Sequence, residues 1–415
     1  MKRGCTGTRI WRTCTTRRGI VLLIAARSAL LAQSFADPDH IAAIRKAFES
    51  PPAAAPLECE ITKVAPSLNF SFRFQGGYSM RVPLSQFQGT GHGWIVLLKV
   101  KPETGEPVYL VHTFDLPDIP DTKLLGEVEG GFLAGEGKYH VQAVAEDDLH
   151  RVCRAQWDID AKFNSSERKL KPAMPPGSVA EIASPMASGP SSEAPKISRL
   201  TILLHAAPLS PRLSKLQAGD VLMLEGSLSA LLNQLPAQSV RLVVFNLEQQ
   251  RVLLRQDGFT AAGIEDVAKA INEIQLGLVD YKVLQNTAGP IELLTNLIDA
   301  ELQAPEPPDE VVFLGPRART HLDIPKDAFG NRRTPMPRFY YVQYWPVLRV
   351  FASALSMRNA TPAEMSRTAP LPPPYTAPTP IDSIALAIDR LKGNTILVRT
   401  PGEFADAIKR ITPKR

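Results

Sequence analysis

The first part of the chain alternates apolar and polar residues, which predicts β-strands with one buried face. In "LNFSFRF", one face carries Leu68, Phe70, Phe72 and Phe74, and polar residues lie between them. Gly76-Gly77 follows, and because glycine tolerates a positive φ, we expect a hairpin there. Further strand patterns cover residues 78–84, 93–100, 107–114, 138–147 and 151–160.

Strands at this spacing predict an antiparallel β-sandwich over residues 57–161. Within it, "GEGKYHVQAVAEDD" resembles the penultimate strand of immunoglobulin-like domains, although Val141 stands where that family has a cysteine. The resemblance implies that Tyr139 lies at a strand corner, with its hydroxyl bonded to a nearby backbone group. Residues 162–196 are rich in Ser, Pro, Ala and Gly, so we expect a flexible linker after the sandwich.

From residue 197 the pattern changes to short apolar runs that alternate with amphipathic helical stretches. The runs cover residues 200–204, 240–245, 251–254, 310–314, 338–345 and 395–399, and the helical patterns cover 221–235, 264–276, 290–302, 381–391 and 402–411. This alternation predicts an α/β doubly wound domain over residues 197–412, with a mostly parallel sheet. The short connection in "VVFNLEQQRVLL" predicts one antiparallel edge strand.

Three segments of this second region resemble von Willebrand factor type A domains, especially those of exported bacterial VWFA-related proteins. They are "SVRLVVFN", "NTAGPIELLTNLIDAEL" and "DSIALAIDRLKGNTILVRTPGEFADAIKRI". The resemblance implies a vWA-like fold, and Thr287 matches the threonine of the family's metal site. That site takes its other oxygen ligands from an Asp-x-Ser-x-Ser loop and from a second aspartate.

The other metal-binding positions of that family are replaced in this chain. The first loop reads His205, Ala206, Ala207, Pro208 and Leu209, and the loop after residue 314 reads Gly315, Pro316 and Arg317. One threonine hydroxyl does not hold Mg²⁺, so we expect a degenerate site with no metal and no cofactor.

These loops instead carry several basic side chains at the edge where open α/β sheets bind ligands. The candidate ligand-binding residues are His205, Arg212, Thr287, Arg317, Arg319 and His321. One interpretation is a basic patch that accepts an anion or an acidic side chain without metal. The other is a vestigial site whose loop residues are solvated or paired internally.

Residues 1–36 are expected to form a signal peptide, with cleavage near Ala36. A basic start precedes the apolar run 19–36, which is broken by Arg27 and is short for a membrane span. Both the general secretory route and the twin-arginine route stay open. Removing this segment removes seven of the 47 basic residues and none of the 42 acidic ones, which leaves a net charge of −2. A chain without a basic excess is not expected to bind nucleic acid.

Two cysteines, Cys59 and Cys153, lie outside the expected signal peptide. In an exported chain they predict a disulfide; two buried thiols are the alternative.

The chain has no GxSxG, HExxH, P-loop or GxGxxG pattern after a strand, so we do not expect an enzyme. We expect a secreted or periplasmic protein that binds a protein partner outside the cytoplasm, without a membrane span in the mature chain. Two alternatives stay open: a hydrolase or carbohydrate-binding protein with an unrecognised site in the sandwich, and a structural component of the cell envelope.

Overall fold

The alternating apolar residues of the first part of the chain form two antiparallel sheets. The computed structural model describes residues 33–49, 56–165, 167–168, 170, 173–182, 197–209, 216–274, 281–320, 322–325, 328–330, 335–345 and 381–413. Its first nine strands are β1 (Ser34–Phe35), β2 (Glu60–Leu68), β3 (Phe74–Pro83), β4 (Gly93–Pro102), β5 (Val108–Asp115), β6 (Leu125–Ala134), β7 (Gly137–Asp147), β8 (Val152–Ala161) and β9 (Val179–Ala180).

The two sheets pack face to face around a common apolar core. One sheet has the order β1-β5-β4-β7-β8, the other has the order β2-β3-β6-β9, and neighbouring strands in both run antiparallel. Tyr78 and Met80 of β3 share this core with Val96 and Leu98 of β4, and all four side chains are buried. The alternation therefore predicts the buried positions of β3 and β4 correctly, but residues 69–73 form a turn and β6 was not predicted.

The first hairpin turn lies elsewhere than the sequence predicts. Gly76-Gly77 continues β3, and the chain turns at residues 69–73 instead. A Cβ added to Gly77 would lie 2.1 Å from the carbonyl oxygen of Gly130 on β6. Gly77 is therefore required because β3 and β6 approach closely there, and it does not form a turn.

Tyr139 takes the position that the sequence predicts. Its hydroxyl donates to the carbonyl oxygen of Gly135, four residues earlier, at 2.8 Å. The ring is buried, and the hydrogen bond satisfies the one polar atom that its burial would otherwise leave unpaired.

The second part of the chain forms a six-stranded sheet with helices. Its strands are β10 (Ile197–His205), β11 (Ala237–Asn246), β12 (Arg251–Gln256), β13 (Glu310–Pro316), β15 (Arg338–Tyr344) and β17 (Asn394–Val398), and a separate two-stranded ladder joins β14 (Arg319–Thr320) to β16 (Ile381–Asp382). The order is β12-β11-β10-β13-β15-β17. All neighbours pair in parallel except β11 and β12, whose antiparallel pairing confirms the predicted edge hairpin.

The helices are α1 (Ile41–Glu49), α2 (Ala218–Gln234), α3 (Ile264–Asn272), α4 (Tyr281–Gln285), α5 (Gly289–Leu302), α6 (Ser383–Arg390) and α7 (Pro401–Ile411). Five of them fall where the amphipathic stretches predict them, with bounds that differ by a few residues, whereas α1 and α4 were not predicted. Side chains cap two of the starts: Asp382 accepts from the backbone N–H of Ala385, and Thr400 accepts from that of Glu403. Such caps satisfy amides that have no partner inside the helix.

The predicted fold class, an immunoglobulin-like sandwich followed by a vWA-like doubly wound α/β domain, is wrong for this chain. Two antiparallel sheets make up most of the strand structure, helix content is only 27%, and the third sheet is mixed because β12 runs antiparallel. The apolar periods locate strands and helices, but they do not specify how many strands pair in antiparallel fashion. The class was inferred from each half of the chain separately, and the vWA-like assignment of the second half depended on three short segments that resemble that family.

Parts of the predicted linker and of the predicted signal peptide belong to the sheets. Val179–Ala180 pairs with β6, whereas residues 183–196 lie outside the described residues. Ser34–Phe35 pairs with β5, and the N–H of Ala36 donates to the carbonyl oxygen of Tyr109. Cleavage after Ala36 would therefore remove β1, while residues 1–32 lie outside the described range.

One tight turn joins the sandwich to the six-stranded sheet. Residues 69–73 are held by Asn69, whose side-chain oxygen accepts from the N–H of Ser71, from its hydroxyl and from the N–H of Arg73. Phe72 adopts a φ of 59° within this turn. The turn thereby presents two phenylalanine rings on either side of Ser71.

These rings pack against residues of the six-stranded sheet and its last helix. The ring of Phe70 lies 5.5 Å from that of Tyr344 on β15 and 5.8 Å from that of Phe404 on α7, and Phe72 lies 5.7 Å from Phe404. Helix α2 approaches the same turn closely, because a Cβ added to Gly226 would lie 3.4 Å from Ser71. The described residues from Gln33 onward accordingly belong to one compact unit.

Substitution Phe404→Ala tests whether this contact couples the two parts. We expect the free energy of unfolding to fall by about 3–5 kcal/mol, the usual cost of removing a buried aromatic ring. Denaturant unfolding in a Trp345→Phe background measures it, because Trp94 and Trp157 of the sandwich then dominate the fluorescence. The exposed Leu397→Ala change is the control. A sandwich signal that keeps its midpoint in Phe404→Ala contradicts the coupling.

The predicted disulfide is confirmed. Cys59 lies just before β2 and Cys153 lies on β8, so the bond links the two sheets, with a Cα–Cα distance of 6.1 Å. It spans 94 positions along the sequence. Such a bond is compatible with a protein outside the cytoplasm. In the part of the chain that the structure describes, every helix is too short or too polar to cross a bilayer.

Replacing both cysteines by serine should lower the free energy of unfolding by about 2–4 kcal/mol, because the bond restricts a long loop of the unfolded chain. Thermal unfolding of the variant and of the oxidised wild type measures the difference. Reduced wild-type protein is the matched control and should unfold like the variant. Equal stability of the oxidised and reduced forms would show that the bond contributes nothing.

Candidate interaction surface

His205, the first candidate site residue, is the last residue of β10 and is buried. Its side chain packs beside Phe245 with ring centroids 5.3 Å apart, and its Nδ1 lies 3.2 Å from the carbonyl oxygen of Pro316. No hydrogen-bond partner for Nε2 is found among the described residues. Burial lowers the pKa of His205 to about 4, so the ring is neutral at pH 7. It does not contribute to an exposed basic surface.

Arg317 lies in a polar network at the same edge of the sheet. Its Nε is 4.0 Å from Oδ2 of Asp382, a buried carboxylate that also accepts from Gln343. The Tyr341 hydroxyl donates to the carbonyl oxygen of Pro316 at 2.9 Å. The network therefore ties the loops after β13 to the start of α6, which favours internal pairing over a free basic patch.

The remaining candidate residues do not meet in a described site. Thr287 is exposed in the turn before α5, and its backbone N–H donates to Gln285. The backbone of Arg319 pairs with Asp382, but its side chain lies outside the description, as do Arg212 and His321. Ligand binding at these positions stays a prediction. Across the described ranges, no cluster of three or more His, Cys, Asp or Glu residues is placed to hold a metal ion.

The buried His205 gives a pH-dependent prediction. The pKa of His205 is about 4 in the folded state and about 6.5 in the unfolded state. Between these values the unfolded chain binds a proton that the folded chain does not, so the free energy of unfolding is highest above pH 6.5 and falls as the pH is lowered toward 4. The wild type should lose up to about 1.4 kcal/mol per pH unit relative to His205→Asn in that window. Denaturant titrations at several pH values measure this difference. Exposed His150, where Asn tolerates the positive φ, gives the control variant; parallel pH curves for wild type and His205→Asn exclude the effect.

A different surface, at one end of the sandwich, combines ordered loops with exposed apolar side chains. We call it the loop-end surface, and define it as residues 84–92, 116–125 and 147–151 together with the strand ends beside them. The first segment follows β3, the second connects β5 to β6, and the third connects β7 to β8.

Hydrogen bonds join the first two segments. The backbone N–H of Leu84 donates to the carbonyl oxygen of Leu124, and Gly89 and Ile119 exchange backbone hydrogen bonds. The side chain of Gln88 also donates to Asp121 at 2.8 Å. Gly89 has a φ of 101°, a backbone conformation that other residues rarely adopt, so this glycine is needed for the loop.

The third segment is fixed by a buried carboxylate. Asp147 accepts from the N–H groups of Leu149 and Arg151, and its Oδ2 lies 2.6 Å from the Arg151 guanidinium. That guanidinium also donates to the carbonyl oxygen of Gln86 and stacks over the ring of Phe87. The turn is therefore attached to the first segment and holds Leu149 outward.

A histidine completes the connection. His92 Nδ1 lies 3.0 Å from Oδ2 of Asp148, and its Nε2 lies 3.2 Å from the carbonyl oxygen of Gln88. Burial raises the pKa of Asp148, but the hydrogen bonds from His92 and from the N–H of Gly93 outweigh it and lower the pKa below its usual value. The carboxylate is thus held in its charged form.

Three leucines project from this network into solvent. Leu124 is 62% exposed, Leu125 is 55% exposed and Leu149 is 58% exposed. Single exposed apolar residues are ordinary on protein surfaces, whereas three on connected, hydrogen-bonded loops are the feature that the proposal below depends on. Sequence reasoning missed them because it treated 115–125 and 147–151 as connections. The available signal was an apolar pair inside a polar turn segment, "DTKLLGE".

A cleft of about 480 Å³ lies elsewhere on the described chain. It is lined by Glu136, Lys162, Phe163, Arg168 and Leu170. Lys162 Nζ is already 2.6 Å from Asp160, and the ring of Phe163 packs on Phe74. Two of the lining side chains are therefore already engaged within the chain.

Neither a family model nor a curated protein matches this chain. The resemblance to VWFA-related proteins thus stays a prediction from three sequence segments, and it supports none of the proposals below.

Proposed function

We propose that this chain is a non-catalytic protein that works outside the cytoplasm and binds another protein through the loop-end surface. The observation that carries the proposal is the group of three exposed leucines on loops that are already hydrogen-bonded to one another. A surface that is ordered before binding loses little conformational entropy on association, which favours affinity.

The disulfide supports the location. The Cys59–Cys153 bond is compatible with an oxidising compartment, where disulfides usually form and persist. For the export signal, the pairing of β1 with β5 favours processing before Gln33, because cleavage after Ala36 would separate β1 from the sheet.

The leucines alone do not account for a stable complex. Completing the burial of three half-exposed leucines contributes on the order of 3–5 kcal/mol. Association costs about 4–15 kcal/mol in lost translational and rotational freedom. Contacts around the leucines must therefore supply the remainder.

The double variant Leu124→Ser/Leu149→Ser tests the proposal. Full-length wild type and variant are immobilised, and proteins retained from the envelope fraction are quantified by mass spectrometry. We expect at least one protein whose retention drops about tenfold or more in the variant, since loss of a central apolar contact costs over 1 kcal/mol.

Leu397→Ser, which changes an exposed leucine of β17, is the matched control and should retain the same proteins as wild type. If every protein is retained equally by all three chains, the loop-end surface is not a binding site. A product formed from an envelope polysaccharide or peptide by the purified wild type would favour the hydrolase alternative.

A further inference from the structure

We infer that the partner of the loop-end surface presents basic side chains around an apolar centre; this inference rests on the proposed function. Carboxylates lie on the segments that carry the three leucines and beside them. Exposed acidic residues there include Asp115, Asp118, Asp121 and Asp148, and Glu58 lies next to the first segment through Gln86.

Each acidic residue is located on the surface by a neighbour. Glu58 exchanges hydrogen bonds with the side chain of Gln86, and Asp115 pairs with Gly93 at the end of β4. Asp121 accepts from Gln88, a neutral group. Asp118 precedes Ile119, which is bonded to Gly89.

Few cations balance these charges. Lys123 is exposed in the second segment, but Arg151 is engaged by the buried Asp147, His92 is bonded to Asp148 and His150 is bonded to Glu146. Within the described part of the chain, no lysine or arginine nitrogen lies within 4.0 Å of a carboxylate of Glu58, Asp115, Asp118 or Asp121. We call these acidic residues, Glu58, Asp115, Asp118, Asp121 and Asp148, the rim of the loop-end surface. The rim therefore carries an excess of negative charge.

This charge pattern selects among possible occupants. Nucleic acid and anionic lipid would meet like charge at the rim. A second copy of the chain bound through the same surface would place one acidic rim against the other, which costs free energy. A basic protein surface instead gains attraction at the rim while its apolar centre covers the leucines.

Selection from a phage-displayed library of random 12-residue peptides tests the inference. The full chain is the bait, and peptides that also bind Leu124→Ser/Leu149→Ser are discarded. We expect the retained peptides to carry net positive charge beside apolar residues, and we expect the affinity of a synthesised example to fall about tenfold between 50 and 300 mM salt.

Charge-neutral variants provide the second measurement. Asp115→Asn/Asp118→Asn/Asp121→Asn should weaken the synthesised peptide about tenfold, because it removes three charges from the rim. Glu265→Gln/Asp266→Asn/Glu273→Gln removes the same charge from exposed positions at α3 and should leave binding unchanged. The inference of a basic partner is wrong if the retained peptides are neutral or acidic. It is also wrong if both triple variants weaken peptide binding equally. In either case the proposal that the surface binds a protein would still stand. A library without any leucine-dependent peptide overturns both proposals.

Discussion

The apolar contact between the turn at residues 69–73 and the six-stranded sheet is the constraint on which the rest of the structure depends. Phe70 and Phe72 lie against Tyr344 and Phe404, and Gly226 of α2 leaves room for Ser71. Aromatic rings bury large apolar areas, so a few of them can hold the sandwich against the six-stranded sheet, although no strand belongs to both. The side-chain oxygen of Asn69 fixes the turn that makes this possible.

This contact also determines which end of the sandwich the six-stranded sheet covers. Strands β2 and β3 run antiparallel from the turn, so the turn lies at one end of their ladder, and residues 84–92 follow β3 at the other. Anchoring at the turn leaves the opposite end uncovered by the six-stranded sheet. Leu124 and Leu149 of the loop-end surface therefore remain exposed to solvent.

Sequence periodicity predicted most strands and helices. It failed where the choice of a residue depends on a contact with a neighbouring strand. The five amphipathic helices and the β11–β12 hairpin follow from local patterns, so they were predicted. The Tyr139 hydrogen bond was expected only from the resemblance of its segment to immunoglobulin-like domains. Gly77 was misread as a turn residue because its role, close approach of β6, depends on a partner more than 50 positions away. The fold class was wrong because apolar periods locate strands and helices but do not assign the resulting sheets to a family, and two antiparallel sheets and a mixed one do not match the predicted class.

The candidate sites show the same limit. The sequence left two interpretations of the loop residues open, a basic patch and an internally paired site; in the structure, burial makes His205 neutral and Arg317 lies beside Asp382. Both effects arise from tertiary contacts that a single sequence does not reveal. The exposure of the leucines is likewise a property of the folded loops.

Native-state hydrogen exchange under increasing denaturant tests the central claim, that one aromatic contact makes the sandwich and the six-stranded sheet a single cooperative unit. Mass spectrometry of peptides from β7 and β10 reports the opening of each part separately. The account predicts that the slowest amides of both peptides open with the same free energy and the same denaturant dependence. A β10 peptide that exchanges through a lower-energy opening while β7 stays protected would contradict it.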